Sequence, residues 1–174
     1  MLCIINTNTK PYFNLAAEDY VLRNFKDDCF MLWRNKPSII IGKHQNTLAE
    51  INLEYVKDNN IDVVRRLSGG GAVFHDLGNL NFTFIKNAKD EGSLVDFKKY
   101  IQPILEVLQS LGVNAKFEGR NDIMIDGKKI SGNAEHVFKR RVLHHGTLLF
   151  LSQIADLSKA LKVNPLKYQD NGVK

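Results

Sequence analysis

The residues most able to do chemistry stand in one run, Arg65-Arg66-Leu67-Ser68-Gly69-Gly70-Gly71-Ala72-Val73-Phe74-His75-Asp76. Consecutive glycines let the main chain take dihedrals closed to other residues and let a ligand approach it closely. Successive N–H groups in such a loop make an anion-binding concavity, and Arg65 and Arg66 bring positive charge beside it. The expected chemistry is the holding of a phosphate or a carboxylate. A glycine-rich turn between two strands accounts for the glycines equally well, so the loop alone leaves both readings open. Lys129 and the adjacent His144 and His145 are further candidates. A strand sends neighbouring histidines to opposite faces, which makes them a poor chelating pair. The chain has no His-Glu-x-x-His and no Gly-x-Ser-x-Gly. Gly42-Lys43-His44-Gln45-Asn46 lacks the Gly-Lys-Ser/Thr of a phosphate-binding P-loop.

Short strands and helices must carry these residues. Residues 2–5 read as a strand. Pro11 and Asn14 mark a helix start with Asn14 as the cap, and Leu15, Leu22 and Phe25 follow at helical spacing. Glu18 falls on that apolar stripe. A carboxylate facing a core is costly unless partnered, so Glu18 lies either at the edge of the stripe or in a polar pocket. Strands are expected over 30–33 and 38–42, the second buried on both faces through Ile39-Ile40-Ile41. A helix over 52–59 and a strand at Val63-Val64 lead into the glycine loop. Leu80 to Ile85 alternates as a strand with one face in the core.

The clearest helix runs from Phe97 to Leu111 on one broad apolar stripe, with Asp96 or Ser93 as cap and Gly112 at its end. Asp126-Gly127 predicts a two-residue hairpin. Plain alternation then puts Lys129 and Ser131 on one face and Lys128 and Ile130 on the other. Val142 to Leu151 reads as a strand, and a last helix carries Ile154, Leu157 and Leu161. Together these predict an α+β fold, a mixed and largely antiparallel sheet flanked by helices.

A chain of 174 residues, 44% hydrophobic and 25% charged, suits one domain spanning 1–174. No apolar run approaches the roughly 20 residues of a membrane span. Cys3 and Cys29 form neither a metal spacing nor a disulfide framework, and a reducing, cytoplasmic setting is the simplest inference. The net charge of +5 favours an acidic partner. Scattered Lys and Arg without a recognised motif argue against nucleic acid.

In combination the motifs resemble those of the lipoate–protein ligase family. Arg65 to Asp76 is similar to its signature loop, Gly119-Arg120-Asn121-Asp122 to its second motif, and Lys129-Ile130-Ser131-Gly132-Asn133-Ala134 to its catalytic-lysine motif. His144-His145-Gly146-Thr147-Leu148-Leu149, Phe13-Asn14-Leu15-Ala16-Ala17-Glu18 and Leu32-Trp33-Arg34-Asn35 also match, in the right order. The resemblance covers nearly the whole chain and implies a catalytic-domain fold like that of biotin and lipoate ligases. It further implies ATP-dependent activation of lipoate to lipoyl-AMP, then transfer to a lysine on an apo carrier domain. Lys129 would be the catalytic cation. Arg66, Gly71, Ala72, Val73, Phe74, Asn121, Asp122 and Lys129 would bind ATP or the adenylate, with Asp122 on Mg²⁺. Glu18, Trp33, Arg65, Ser68, Gly70, His75, Lys129, Ala134 and His145 would form the lipoate site, which gives Glu18 a pocket role.

The implied carriers are acidic lipoyl domains of 2-oxoacid dehydrogenase E2 subunits and the glycine cleavage H protein. A lipoyl or octanoyl transferase of the same fold uses a cysteine downstream of the lysine motif, and no cysteine follows Lys129 in this chain. The family continues beyond a segment like Gly172-Val173-Lys174. The chain is therefore expected to be a catalytic domain cut short at its C-terminus and lacking the family's accessory domain, with such a domain or a separate subunit as a further partner, or else a lipoate-binding fragment that needs a C-terminal partner for activation.

Overall fold

The computed structural model describes residues 1–88, 94–152 and 159–161. Its elements in order are β1 (Leu2–Asn6), α1 (Pro11–Asn24), β2 (Cys29–Trp33), β3 (Ser38–Ile41), α2 (Thr47–Glu50), α3 (Leu53–Asp58), β4 (Asp62–Arg65), β5 (Val73–His75), β6 (Asn79–Asn87), α4 (Phe97–Ser110), β7 (Lys116–Glu118), β8 (Asp122–Ile125), β9 (Lys128–Phe138) and β10 (Arg141–Leu149). They build a seven-stranded sheet in the order β1-β2-β6-β10-β9-β8-β7 and a three-stranded sheet in the order β4-β3-β5. Among the described residues only β1–β2 and β3–β4 pair parallel. The expected mixed, largely antiparallel architecture is what forms. Ser93 and the last predicted helix, except its residues 159–161, lie outside the described residues.

Strand alternation sorts the large sheet into two faces. Phe82, Phe84 and Val142 pack with Tyr100, Ile101, Ile104 and Leu105 of α4. Cys29, Met31, Trp33, Ile85 and Leu143 point the other way and meet Leu15 and Leu22 of α1 and Ile40 of β3. The small sheet has its own far face, where Ile39, Ile41 and Phe74 pack on Val56 of α3. Ile39-Ile40-Ile41 is buried on both faces, as its composition predicts. The β6 alternation misled in one respect. Its polar positions Asn81 and Thr83 are 1% and 0% exposed, because α1 and the small sheet cover that face too.

Local chemistry explains the helix ends. Pro11 opens α1 at the first helical position, where its fixed φ suits the helix and its missing N–H costs nothing. Asn14 is therefore not the cap. It is buried inside the first turn, where its amide donates to the Asn8 and Arg34 carbonyls and to Asn35 Oδ1. Asp96 caps α4 by accepting the Lys99 N–H at 3.1 Å. The Asp126-Gly127 turn has φ +48° and +73°, the pair of positive values that a tight hairpin demands.

The β8–β9 ladder departs from plain alternation. Met124 pairs with Lys129 but Ile123 pairs with Ser131, so Ile130 is an extra residue in a β-bulge. The bulge reverses the face of everything before it. Lys129 consequently shares a face with Gly132, whose added Cβ would lie 3.4 Å from the lysine Nζ. Ser131 shares the opposite face with Asn133, which donates to its hydroxyl and meets His144. The expected Lys129–Ser131 face pairing is thus overturned.

Gly146 sits where β10 passes close to side chains of both neighbouring strands. A Cβ there would fall 2.1 Å from Asn133 Oδ1 and 2.4 Å from Phe82 Cζ. Both neighbours are packed and cannot retreat, so Gly146→Ala is expected to lose about 1–3 kcal/mol. Urea unfolding of the variant beside the unsubstituted protein measures it.

Candidate active site

A cavity of about 230 Å³ opens between the two sheets. Leu15, Trp33, Ile40, Val73 and His75 line its inner part. Gly70, Gly71 and Ala72 of the glycine loop, with Asn121, Lys129, Gly132 and Ala134, line the rest. The elements position them by parity. Val73 and His75 of β5 point inward, while Phe74 between them turns to the opposite core. Trp33 comes from β2, His145 and Thr147 from β10, and Lys129 from the far side of the bulge.

Arg66 shapes the loop. Its Nη2 donates to Gly69 O at 2.7 Å and Gly71 O at 2.8 Å, its Nη1 to Ile40 O at 3.1 Å, and its Nε to Ser68 Oγ at 3.1 Å. Burial lowers its pKa to about 10, against the opposing pull of the Glu18 carboxylate, and it stays a cation at neutral pH. Gly70 takes φ +94°, and a Cβ there would press on the Arg66 guanidinium at 2.9 Å. A Cβ at Gly69 or Gly71 would meet nothing within 4 Å, so the loop backbone is open to an incoming group.

Lys129 carries the second cation. Its Nζ stands 2.8 Å from Asp122 Oδ1, an ion pair without the directionality of a hydrogen bond. The two side chains are 52% and 30% exposed, so the pair contributes less than about 1 kcal/mol and a competing anion can displace it. Asn121 and Asn133 clasp each other through side-chain amide and main-chain carbonyl at 2.6 and 2.9 Å, which ties the Asp122 loop to the lysine strand.

The inner part holds a buried polar set. Glu18 is 2% exposed and accepts from Thr83 Oγ1 and from His145 Nδ1, so it occupies a polar pocket and not the edge of its helix. His145 Nε2 meets Ser68 Oγ at 2.6 Å. His75 accepts from Asn35 Nδ2 at its Nδ1, 3.2 Å away, which leaves the proton on Nε2. That Nε2–H and the Asn81 amide line the cavity as buried donors with no partner among the described residues. A carbonyl, carboxylate or soft sulfur acceptor suits them.

Burial, with Arg66 and His145 nearby, pushes the His75 pKa down to about 3. The unfolded ring titrates near 6.5. Its contribution is therefore complete above pH 6.5 and is lost as pH falls toward 3, because only the unfolded state takes the proton there. Unfolding free energies at pH 7 and 4.5 should differ by about 2.6 kcal/mol on this account. His75→Gln should remove most of that difference.

Several expected site residues stand elsewhere. Arg65 does not line the cavity. It ends β4 and directly precedes Arg66, so its guanidinium faces the other way and braces the 42–47 loop through Gly42 O, Gln45 O and Thr47 Oγ1. The Phe74 ring is buried away from the cavity. Glu18 and Ser68 do not line it and reach it through others, Glu18 through His145 and through Thr83 to Trp33, Ser68 through His145 and Arg66. Cys29 is buried in the core and Cys3 is exposed on β1; neither lines the cavity. His144 faces α4, stacked on Tyr100 at 5.0 Å and paired with Glu135 at 2.9 Å. Sequence reasoning missed Thr83, Asn35 and Asn81. The available signal was the polar pair Asn81 and Thr83 in a strand otherwise rich in Phe and Ile.

The chain belongs to the family described as the lipoyl protein ligase A/B catalytic domain, whose model matches residues 10–174. It is 51% identical to Lipoate–protein ligase 1 of Staphylococcus aureus over 100% of this chain and 54% of that protein. A crystal structure of lipoate–protein ligase A bound with ATP superposes with a TM-score of 0.88 at 29% identity, covering 99% of this chain and 78% of that one. A bipartite lipoate protein ligase of Thermoplasma acidophilum, studied with its E2 lipoyl domain, superposes at 0.84 with 31% identity, covering 97% and 69%. The chain spans about half the length of the curated relatives it matches. Among the described residues no helix is long and apolar enough to cross a membrane.

Proposed function

We propose that this chain is the catalytic part of an ATP-dependent lipoate–protein ligase. The carrying observation is that the Lys129 amine and the glycine loop line one cavity with Trp33 at its inner part. The lipoate carboxylate attacks the α-phosphate of ATP, a P–O bond forms, and pyrophosphate leaves. The amine of a carrier lysine then attacks the carbonyl of lipoyl-AMP, and AMP leaves as the amide forms. The first step brings two anions together, so cations and oriented N–H groups must meet the growing negative charge. Lys129 supplies the mobile cation between carboxylate and α-phosphate. Arg66 supplies a fixed one behind the loop, and Gly70, Gly71 and Ala72 offer backbone to the nucleotide. Trp33, Ala134, His75 and His145 bound the acyl tail.

Mg²⁺ fits only as a nucleotide would present it. Asp122 offers one carboxylate near the lysine, and no group of three His, Cys, Asp or Glu side chains stands together among the described residues. Bound there with phosphate oxygens, Mg²⁺ would offset phosphate charge. In the second step positioning carries the attack, with the carrier amine held against the anhydride.

The partners are apo lipoyl domains, acidic ones such as those of E2 subunits and the H protein, which the net charge of +5 favours. The setting is the cytoplasm, and a C-terminal accessory domain or a separate subunit is a further partner. The test mixes the protein with ATP, Mg²⁺, lipoate and an apo lipoyl domain. Pyrophosphate release and a lipoylated carrier are expected together. Carrier modification from preformed lipoyl-AMP alone would locate activation in such a domain or subunit, and transfer from an octanoyl carrier without ATP would sink the ligase reading.

A further inference from the structure

Six buried side chains join the tail of the cavity to its glycine loop. The Trp33 indole Nε1 donates to Thr83 Oγ1 at 3.0 Å, and that hydroxyl donates to Glu18 Oε1. Glu18 accepts from His145 Nδ1 at 3.1 and 3.2 Å. His145 Nε2 meets Ser68 Oγ at 2.6 Å, and Arg66 Nε donates to the same oxygen at 3.1 Å. Trp33, Thr83, Glu18, His145, Ser68 and Arg66 are all 8% exposed or less.

Counting protons gives the series one internally consistent direction. Ser68 accepts from Arg66 and so has its own proton free for His145 Nε2. Taken that way, His145 Nε2 accepts from Ser68 and its Nδ1 carries the ring proton that is donated to Glu18. Thr83 likewise accepts from the indole and gives its proton to the other side of the carboxylate. A guanidinium and a carboxylate thus face each other across a neutral Ser–His bridge, with each bridging atom satisfied once. Such networks polarise along their length and hold a unique geometry when complete.

We propose that this series is a positioning relay: Glu18 and Thr83 hold Arg66, and through it the Gly69–Gly71 backbone, in register with occupancy at the Trp33 end. Glu18, Ser68 and Thr83 are then positioning residues that touch neither substrate. Its coupling part rests on the ligase reading above. A group filling the cavity beside the indole orders Trp33 and Thr83, stiffens the carboxylate and favours the Arg66 position that leaves the loop open. By linkage, nucleotide binding tightens the tail site by the same factor.

Two measurements test it. Ring ¹⁵N NMR at neutral pH, assigned with His145→Gln, needs no ligand. It should show His145 protonated at Nδ1 and bare at Nε2, and a ring protonated at Nε2 overturns the relay. Calorimetry of a non-hydrolysable ATP analogue, with and without saturating lipoamide, reads the coupling. Lipoamide fills the tail end without adding a carboxylate's repulsion. The filled site should bind the nucleotide at least about fivefold tighter. Thr83→Val should bring that ratio close to one, and Thr83→Ser should restore it. Glu18→Gln is the second variant should the valine fail to fold. Unchanged coupling in either folded variant, or no coupling in the unsubstituted protein, overturns the proposal. Failure of the analogue to bind at all counts against the ligase reading instead, and the His145 tautomer then decides the relay.

Discussion

Lys129→Ala is expected to cut lipoyl-AMP formation by at least about 10²–10³-fold, the loss that follows removal of one preorganised charge donor from a reacting centre. The lysine's weak tie to Asp122 leaves it free to move onto the carboxylate and α-phosphate, and no described neighbour can take its place. Arg66 is held by loop carbonyls and Ser68, and Arg65 faces the 42–47 loop. Lys129→Arg should not rescue, because a planar fork does not replace the compact point charge of an ammonium set between two oxygens. Folding should be nearly unchanged, since an exposed ion pair contributes little. Single-turnover pyrophosphate release separates the chemistry from later steps. A variant that keeps more than a tenth of the rate would remove Lys129 from the centre of the mechanism.

Arg66→Ala should do the reverse and damage structure and binding together. The change strips donors from Ile40 O and Ser68 Oγ, both on buried residues, and from Gly69 O and Gly71 O in the loop. Two buried acceptors left unmade cost roughly 2–6 kcal/mol. The Glu18 carboxylate also loses the cation it faces. Nucleotide affinity is expected to fall at least about 100-fold, because the loop backbone loses the group that sets it. Urea unfolding and nucleotide titration read the two effects. Arg66→Lys should recover part of the stability but little of the loop, since one ammonium cannot span both Gly69 O and Gly71 O with the fork's geometry. A stable variant with unchanged nucleotide affinity would show that the loop holds its shape without this arginine.

Much of the architecture was legible beforehand because it depends on short-range rules. Ile39-Ile40-Ile41 forms the doubly buried strand, Asp126-Gly127 forms the hairpin, and Asp96 caps α4. Where local rules conflicted with contacts far along the chain, the local rule lost. Asn14 has the chemistry of a cap, yet the Pro11 ring starts the helix and Asn14 holds Asn8, Arg34 and Asn35 together instead. Asn81 and Thr83 read as a solvated face, but α1 and a second sheet bury them.

By itself the amino-acid sequence determined which groups are available: a glycine loop flanked by arginines, a lysine just beyond a tight turn, and a lone glutamate on an apolar helix. It also determined the family, since ordered motifs need no coordinates. Only the tertiary structure decided where those groups point. Parity sends Arg66 inward and Arg65 outward, and turns Phe74 away between Val73 and His75. The bulge at Ile130 swings Lys129 onto the cavity face, a matter of one unpaired residue in a ladder whose register is set by the partner strand. Glu18 finds its partners 65 and 127 residues away, so no local pattern could announce them.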